Sequence, residues 1–361
     1  MKQKRQYFNM NDSGVSYFFY LIVSLLLSNV VGAICRSNNF TQDTNQYYSI
    51  VMLATNQMAM LIAFFGYTAM AKIDFVSAMN LKKAPNVKQT VSLFFTSLSA
   101  IVAFLPIAYL FMYLLGLAGF KSSGNIYIPQ TVGGFFLGLM FAVIMPAILE
   151  EFIYRGLLLG GLKQKSYAFA VMMTSLIFCL SHGSAVQTVH QLLASIVICL
   201  VVLYGGSVWF GVIMHFFNNL ISLVMNYIPM DFEPLGYFNI LLGVGCFIVG
   251  MFALICFMKL FKQQCKDRCL GEKVVNVYPK GKFRYVVGSV FDAVTRFFRG
   301  IVSKEDRTKS RENFEETIGY LDDDYIKNES VMGKEKGVSI IIIAIVVILV
   351  ITWIVSLVQG F

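Results

Sequence analysis

The sequence predicts an all-α polytopic membrane protein of about nine transmembrane helices, and three observations carry that reading. Of its 361 residues, 57% are hydrophobic and only 14% charged, with a mean hydropathy of +0.68. A soluble domain of that balance would leave large apolar patches in water. Charge and apolarity are also segregated, long uncharged runs alternating with short polar loops, as helices crossing a bilayer require. The net charge of +9 lies mostly in those loops, so it is no footprint for nucleic acid; the expected partner is the lipid bilayer.

Taken in order, the first apolar run, 15–35, follows the basic residues Lys2, Lys4 and Arg5. It is too long for a signal-peptide core and lacks a small-residue cleavage pattern around Val31–Cys35, so it reads as an uncleaved first span. Runs 48–70 and 91–117 complete an N-terminal unit, 1–130. Five further spans, 131–162, 167–183, 189–204, 207–227 and 237–261, form a core, 131–261. A polar cytoplasmic insertion, 262–337, follows; its stretch Phe283–Val302 has the period of an amphipathic surface helix. The final unit, 338–361, carries a last span at 338–358.

The fourth run exceeds one bilayer crossing at about 1.5 Å per residue, so it should project from the hydrocarbon or break. Pro146 is the expected break, because its ring clashes with the preceding turn and removes a backbone donor. A kink there would free carbonyls one turn before Glu150.

Orientation follows from the loops. Lys72, Lys82, Lys83, Lys88, Lys163, Lys165, Lys259, Lys262, Lys266 and Arg268 fall on the same side as the N terminus, while the opposite loops hold Arg36 and Lys121. The N terminus is therefore expected in the cytoplasm and, with nine spans, the C terminus outside. The seven cysteines are odd in number, and most lie in apolar runs; they read as small core residues, not as a disulfide framework.

Candidate chemistry is confined to three polar islands. Glu150, Glu151 and Arg155 lie in the fourth run, and nothing else between Lys121 and Lys163 is charged. An ionisable group at bilayer centre costs roughly 2.5–3.5 kcal/mol on insertion scales, so three within six residues need partners. His182 ends Phe178-Cys179-Leu180-Ser181-His182, and His215 opens His215-Phe216-Phe217-Asn218-Asn219. Counting from the cytoplasmic ends gives depths of about 20, 24 and 14 Å for Glu150, His182 and His215, compatible with one chamber. His190 is expected to be shallower and apart.

Glu151 and Arg155 are i, i+4 neighbours in the favourable order and can neutralise one another. Glu150, turned by about 100°, lacks that partner and suits a general base and acid. One histidine can help to activate water, and the other, with an asparagine amide, can stabilise an oxyanion. Structural readings stand beside these: a Glu–Arg pair can be helix glue, a buried histidine or Asn219 a packing tie, and Phe178 plain packing.

The ordered patterns Glu-Glu-x-x-x-Arg at 150–155, Phe-x-x-x-His at 178–182 and His-x-x-x-Asn at 215–219 resemble the CPBP (Abi) family. That family includes the CAAX prenyl endopeptidases of the Ras-converting type and bacterial relatives linked to bacteriocin processing and self-immunity. The resemblance covers roughly 131–227 and implies a CPBP-type helical core with a kinked catalytic helix. It makes Glu150 the water-activating carboxylate with His182 beside it, His215 and Asn219 the oxyanion site, and Glu151, Arg155 and Phe178 supporting residues. Family members are often labelled metalloproteases, and Glu150, His182 and His215 form a conceivable zinc set; a mechanism without metal or other cofactor is the preferred expectation.

The expected protein is thus an intramembrane endopeptidase of a bacterial plasma membrane. Its expected partner is a peptide or protein substrate at the membrane, such as a secreted-peptide precursor. The competing expectations are a non-catalytic self-immunity scaffold that sequesters a partner, and a proton-coupled transporter using the same residues as a relay.

Overall fold

The computed structural model describes residues 4–121, 128–164, 167–227, 237–265 and 335–360. The proposed amphipathic helix at 283–302 and nearly all of the 262–337 insertion lie outside them. Among the described residues the chain is helical, apart from one isolated bridge between Arg5 and Ile73.

Among the described residues ten helices follow in order: α1 Met10–Ser37, α2 Tyr48–Met70, the single turn α3 Phe75–Ala78, α4 Val87–Leu117, α5 Val132–Leu162, α6 Tyr167–Ser181, α7 Thr188–Gly205, α8 Val208–Asn226, α9 Tyr237–Gln264 and α10 Glu335–Val358. All except α3 fall on the nine runs read from hydropathy, with ends displaced by a few residues. Among the described residues eight are long and apolar enough to cross a membrane. The ninth, α6, has 15 residues and spans only about 22 Å. It stops at Ser181 because Gly183, at φ +58°, takes the left-handed conformation that glycine adopts without strain.

Helix starts follow local chemistry. Asn9 caps α1 reciprocally with Asp12, and Asn86 caps α4 reciprocally with Gln89. Thr131 accepts from the Gly134 N–H at the start of α5. Leu25 and Leu26 on α1, Leu241 and Phe252 on α9 and Ile351 on α10 are exposed apolar residues on the outside of the bundle, as lipid-facing surfaces would be.

The sequence places a break at Pro146; the structure keeps α5 continuous and distorts it instead. Leu139–Ile144 and Phe152–Leu158 are π-helical, with a short α-helical stretch, Met145–Glu151, between them. Pro146 opens that stretch directly behind the first wide turn. A π turn shifts the hydrogen-bond ladder by one residue, so a ring without an N–H is accommodated without interrupting the helix. The acidic pair therefore sits between two wide turns.

The bundle has two polar ends. At one, the Arg5 N–H donates to the Lys72 carbonyl, the Gln164 amide donates to the Phe8 carbonyl, and the Asn80 amide donates to the Gly206 carbonyl. At the other, the Lys121 N–H donates to the Gly360 carbonyl, and Tyr227 donates to the Pro129 carbonyl. Between them a continuous core runs from Tyr17 and Phe64 through Ile153 and Leu158 to Phe178, Cys199 and Phe210.

Candidate active site

The second wide turn of α5 carries an ion pair with no access to solvent. Arg155 Nη1 donates to Glu151 Oε1 at 2.6 Å, and both side chains are fully buried. Two buried charges need bonds beyond their own, and here they have some, although Glu151 Oε2 and Arg155 Nε have no hydrogen-bond partner among the described residues. Arg155 Nη2 donates to Ser195 Oγ on α7 at 2.9 Å, and the guanidinium lies 4.6 Å from the centroid of the Phe178 ring.

Glu151 does more than neutralise Arg155. Its Oε1 also accepts from His215 Nδ1 at 2.9 Å, across from α8. A carboxylate oxygen can only accept, so the Nδ1 proton is fixed on that side of the ring and Nε2 becomes the free edge. Nε2 lies 3.9 Å from Glu150 Oε2. The carboxylate fits because residue 211, one turn before His215, is glycine: a Cβ there would stand 2.5 Å from Glu151 Oε2 and 2.7 Å from Val202 Cγ2.

His182 is oriented separately. Its Nδ1 is 2.8 Å from the Phe178 carbonyl, which can only accept, so Nδ1 carries the proton and Nε2 is the free nitrogen. The Phe178 ring is the shared hinge of the group. It meets the rings of His182, His215 and Tyr154 edge-on at centroid distances of 4.8, 5.9 and 4.9 Å. Tyr154 continues the network through a 2.7 Å bond to Ser181 and a 3.3 Å contact with Tyr17.

Glu150, His182, His215 and Asn219 all line one cavity of about 420 Å³. Glu150 Oε2 has no hydrogen-bond partner among the described residues. Asn219 accepts from the Asn218 amide at 3.4 Å. Glu151, Arg155 and Phe178 stand behind this wall, so the structure brings together all seven residues singled out in the sequence. His190 is nearer than depth counting places it, its side chain reaching that of Asn218.

Other members were not legible. Ser195, Tyr154 and Gly211 carry no chemical signature of their own, and Tyr20, Asn56 and Gln57, which also line the cavity, lie in the N-terminal unit. A polar Asn-Gln pair within an apolar span was the one available signal.

The conceivable zinc set does not fit. Among the described residues no three His, Cys, Asp or Glu side chains are grouped so as to hold a metal ion.

Residues 132–221 match the family model described as Rce1-like, type II CAAX prenyl endopeptidase. The matched segment contains all seven residues named above, and it suggests protease activity of the CAAX type. No curated protein and no solved structure matches the chain.

Proposed function

With residues 132–221 matching the Rce1-like, CPBP-type endopeptidases, we propose that the protein is an intramembrane endopeptidase in which Glu150 and His182 activate water against a peptide bond. The observation that carries this reading is the division of labour between adjacent carboxylates. Glu151 is fully buried and its Oε1 accepts from both Arg155 and His215, whereas Glu150 lines the cavity, 12% exposed, and no hydrogen bond holds its side chain.

In the proposed reaction, water between Glu150 and His182 gives a proton to the carboxylate as its oxygen attacks the carbonyl carbon. The resulting oxyanion is met by the Asn219 amide and by Nε2–H of His215 in its doubly protonated form. Glu151 holds that ring in place through Nδ1 and offsets its charge. Glu150 then returns the proton to the leaving amine. Arg155 and Phe178 touch no reacting atom; they hold Glu151 and the two imidazoles in register.

The gathering of the Arg5, Lys72 and Lys163 ends at one pole, with Lys121 and Gly360 at the other, supports a cytoplasmic N terminus and an external C terminus. A bacterial plasma membrane is the proposed setting.

The test is cleavage of a membrane-peptide library by purified wild type and by Glu150→Gln, with and without chelator. Wild type is expected to cut and Glu150→Gln to lose at least about a hundredfold. Unimpaired cleavage by Glu150→Gln overturns the mechanism, and loss of wild-type activity on chelation overturns its metal independence.

A further inference from the structure

The cavity lies toward one pole of the bundle, and the short α6 explains why. At 15 residues, α6 rises only about 22 Å, less than a hydrocarbon core of about 30 Å, and the chain turns back into α7 at Thr188. A contact with α10 fixes the level of that turn: Trp353 Nε1 donates to Thr188 Oγ1 at 2.8 Å. Trp353 stands about 10 Å along the chain before Gly360, whose carbonyl accepts from the Lys121 N–H at that pole. The longer α2 and α5, of 23 and 31 residues, run on past the turn and leave a recess above it.

The lining follows that recess. From Tyr154 it passes Glu150 and His215 and reaches Leu53, Ile128 and Asn226. Ile128 and Asn226 adjoin the bond from Tyr227 to the Pro129 carbonyl at the Lys121 pole, and Ser222 and Asn226 are exposed. The opposite direction is closed. Tyr17, whose hydroxyl meets that of Tyr154, has no exposed surface, and neither do Phe64, Leu158 and Phe210. The Glu151–Arg155 pair fills the turn beside them. A close-packed interior of this kind offers a chain no passage. The open direction is also polar, with Gln187, Gln191 and Ser222 in the lining, groups able to bond the water that the proposed reaction consumes.

We propose that the chamber opens at the face bearing Lys121 and Gly360, through the recess above the α6–α7 turn, and that the substrate is a polypeptide segment presented from that face. The opening rests on helix lengths and packing alone; the side on which the substrate stands rests on the endopeptidase reading. With the orientation proposed above, that face is external, so a transport step must first carry the segment across the bilayer.

Thiol labelling tests the opening without a substrate. The full-length protein in sealed, oriented vesicles carries Asn226→Cys or Gln187→Cys. Lys121→Cys and Lys83→Cys, both at exposed positions, mark the two faces, and the parent protein with its own cysteines is the blank. A charged, membrane-impermeant methanethiosulfonate is expected to label Asn226→Cys and Gln187→Cys from the face that labels Lys121→Cys. Labelling of either from the face that labels Lys83→Cys, or by a membrane-soluble maleimide alone, overturns the proposal. Either position decides the matter if the other variant fails to fold. A bulky charged thiol attached at Gln187→Cys from the Lys121 face should also abolish cleavage of the peptide library, and undiminished cleavage overturns the substrate's route. Absence of cleavage by unlabelled wild type, with labelling as expected, would instead count against the endopeptidase reading alone.

Discussion

His215 is tied to Glu151, not to Glu150: its Nδ1 lies 2.9 Å from Glu151 Oε1, while its Nε2 stands 3.9 Å from Glu150 Oε2. Two neighbouring glutamates on one helix thereby acquire different jobs. One anchors a cation and an imidazole, and the other lines the cavity with no hydrogen bond holding its side chain.

That division predicts opposite outcomes for the same substitution. Glu151→Gln leaves Arg155 buried without its counter-charge and should cost about 3–5 kcal/mol of stability, together with most activity. Glu150→Gln should cost less than about 1 kcal/mol while abolishing cleavage. Thermal unfolding in detergent beside a cleavage assay checks both. Equal destabilisation by the two variants would refute the division.

Gly211→Ala changes no reactive group, yet its Cβ would press on Glu151 Oε2 and Val202. Overpacking of this kind costs about 1–3 kcal/mol and should shift the carboxylate that holds His215, lowering kcat more than it raises KM. Gly133→Ala, whose Cβ would meet nothing within 4 Å, is the control and should behave as wild type. Normal kcat in Gly211→Ala would show that the close approach is unimportant.

The second wide turn of α5 draws support from α1. Ser13 Oγ donates to the Leu157 carbonyl at 2.9 Å and lies 3.2 Å from that of Leu158, and Gly161 lets the helices meet there, since a Cβ on it would collide with Ser13 and Asn9. Ser13→Ala should cost about 1 kcal/mol and reduce activity several-fold although it lies far from Glu150. Hydrogen exchange across 152–162 should quicken; unchanged exchange would rule out this support.

Phe178 is the common neighbour of Arg155, His182 and His215. Phe178→Leu keeps the site apolar but removes the ring face from the guanidinium, with an expected loss of about 1–2 kcal/mol. Phe178→Tyr keeps that face and should retain more stability than Phe178→Leu by thermal unfolding. The reverse order would mean that shape, not the ring, is what Arg155 requires.

Much of this site is legible in the sequence because its signals are local. Runs of apolar residues set the spans, and their ends agree with the helices to within a few residues. The Glu151–Arg155 pair follows from i, i+4 spacing, and the three polar islands could be assigned to one chamber by counting depth. The distortion of α5 was legible only in part: Pro146 marks where a straight helix is impossible, but not whether the chain breaks or widens into π turns, since that depends on neighbours able to bond the displaced carbonyls.

What tertiary structure alone decided are the contacts between residues far apart in the chain. Hydropathy and spacing report which side chains must find partners, because an unsatisfied charge in an apolar run is costly wherever it lies. They do not report which partner is found. That Glu151 holds His215, that Ser195 bonds Arg155, that Gly211 makes room for a carboxylate, and that Asn56 and Gln57 share a cavity with Glu150 follow from how the helices pack, and helix packing leaves no period in the sequence.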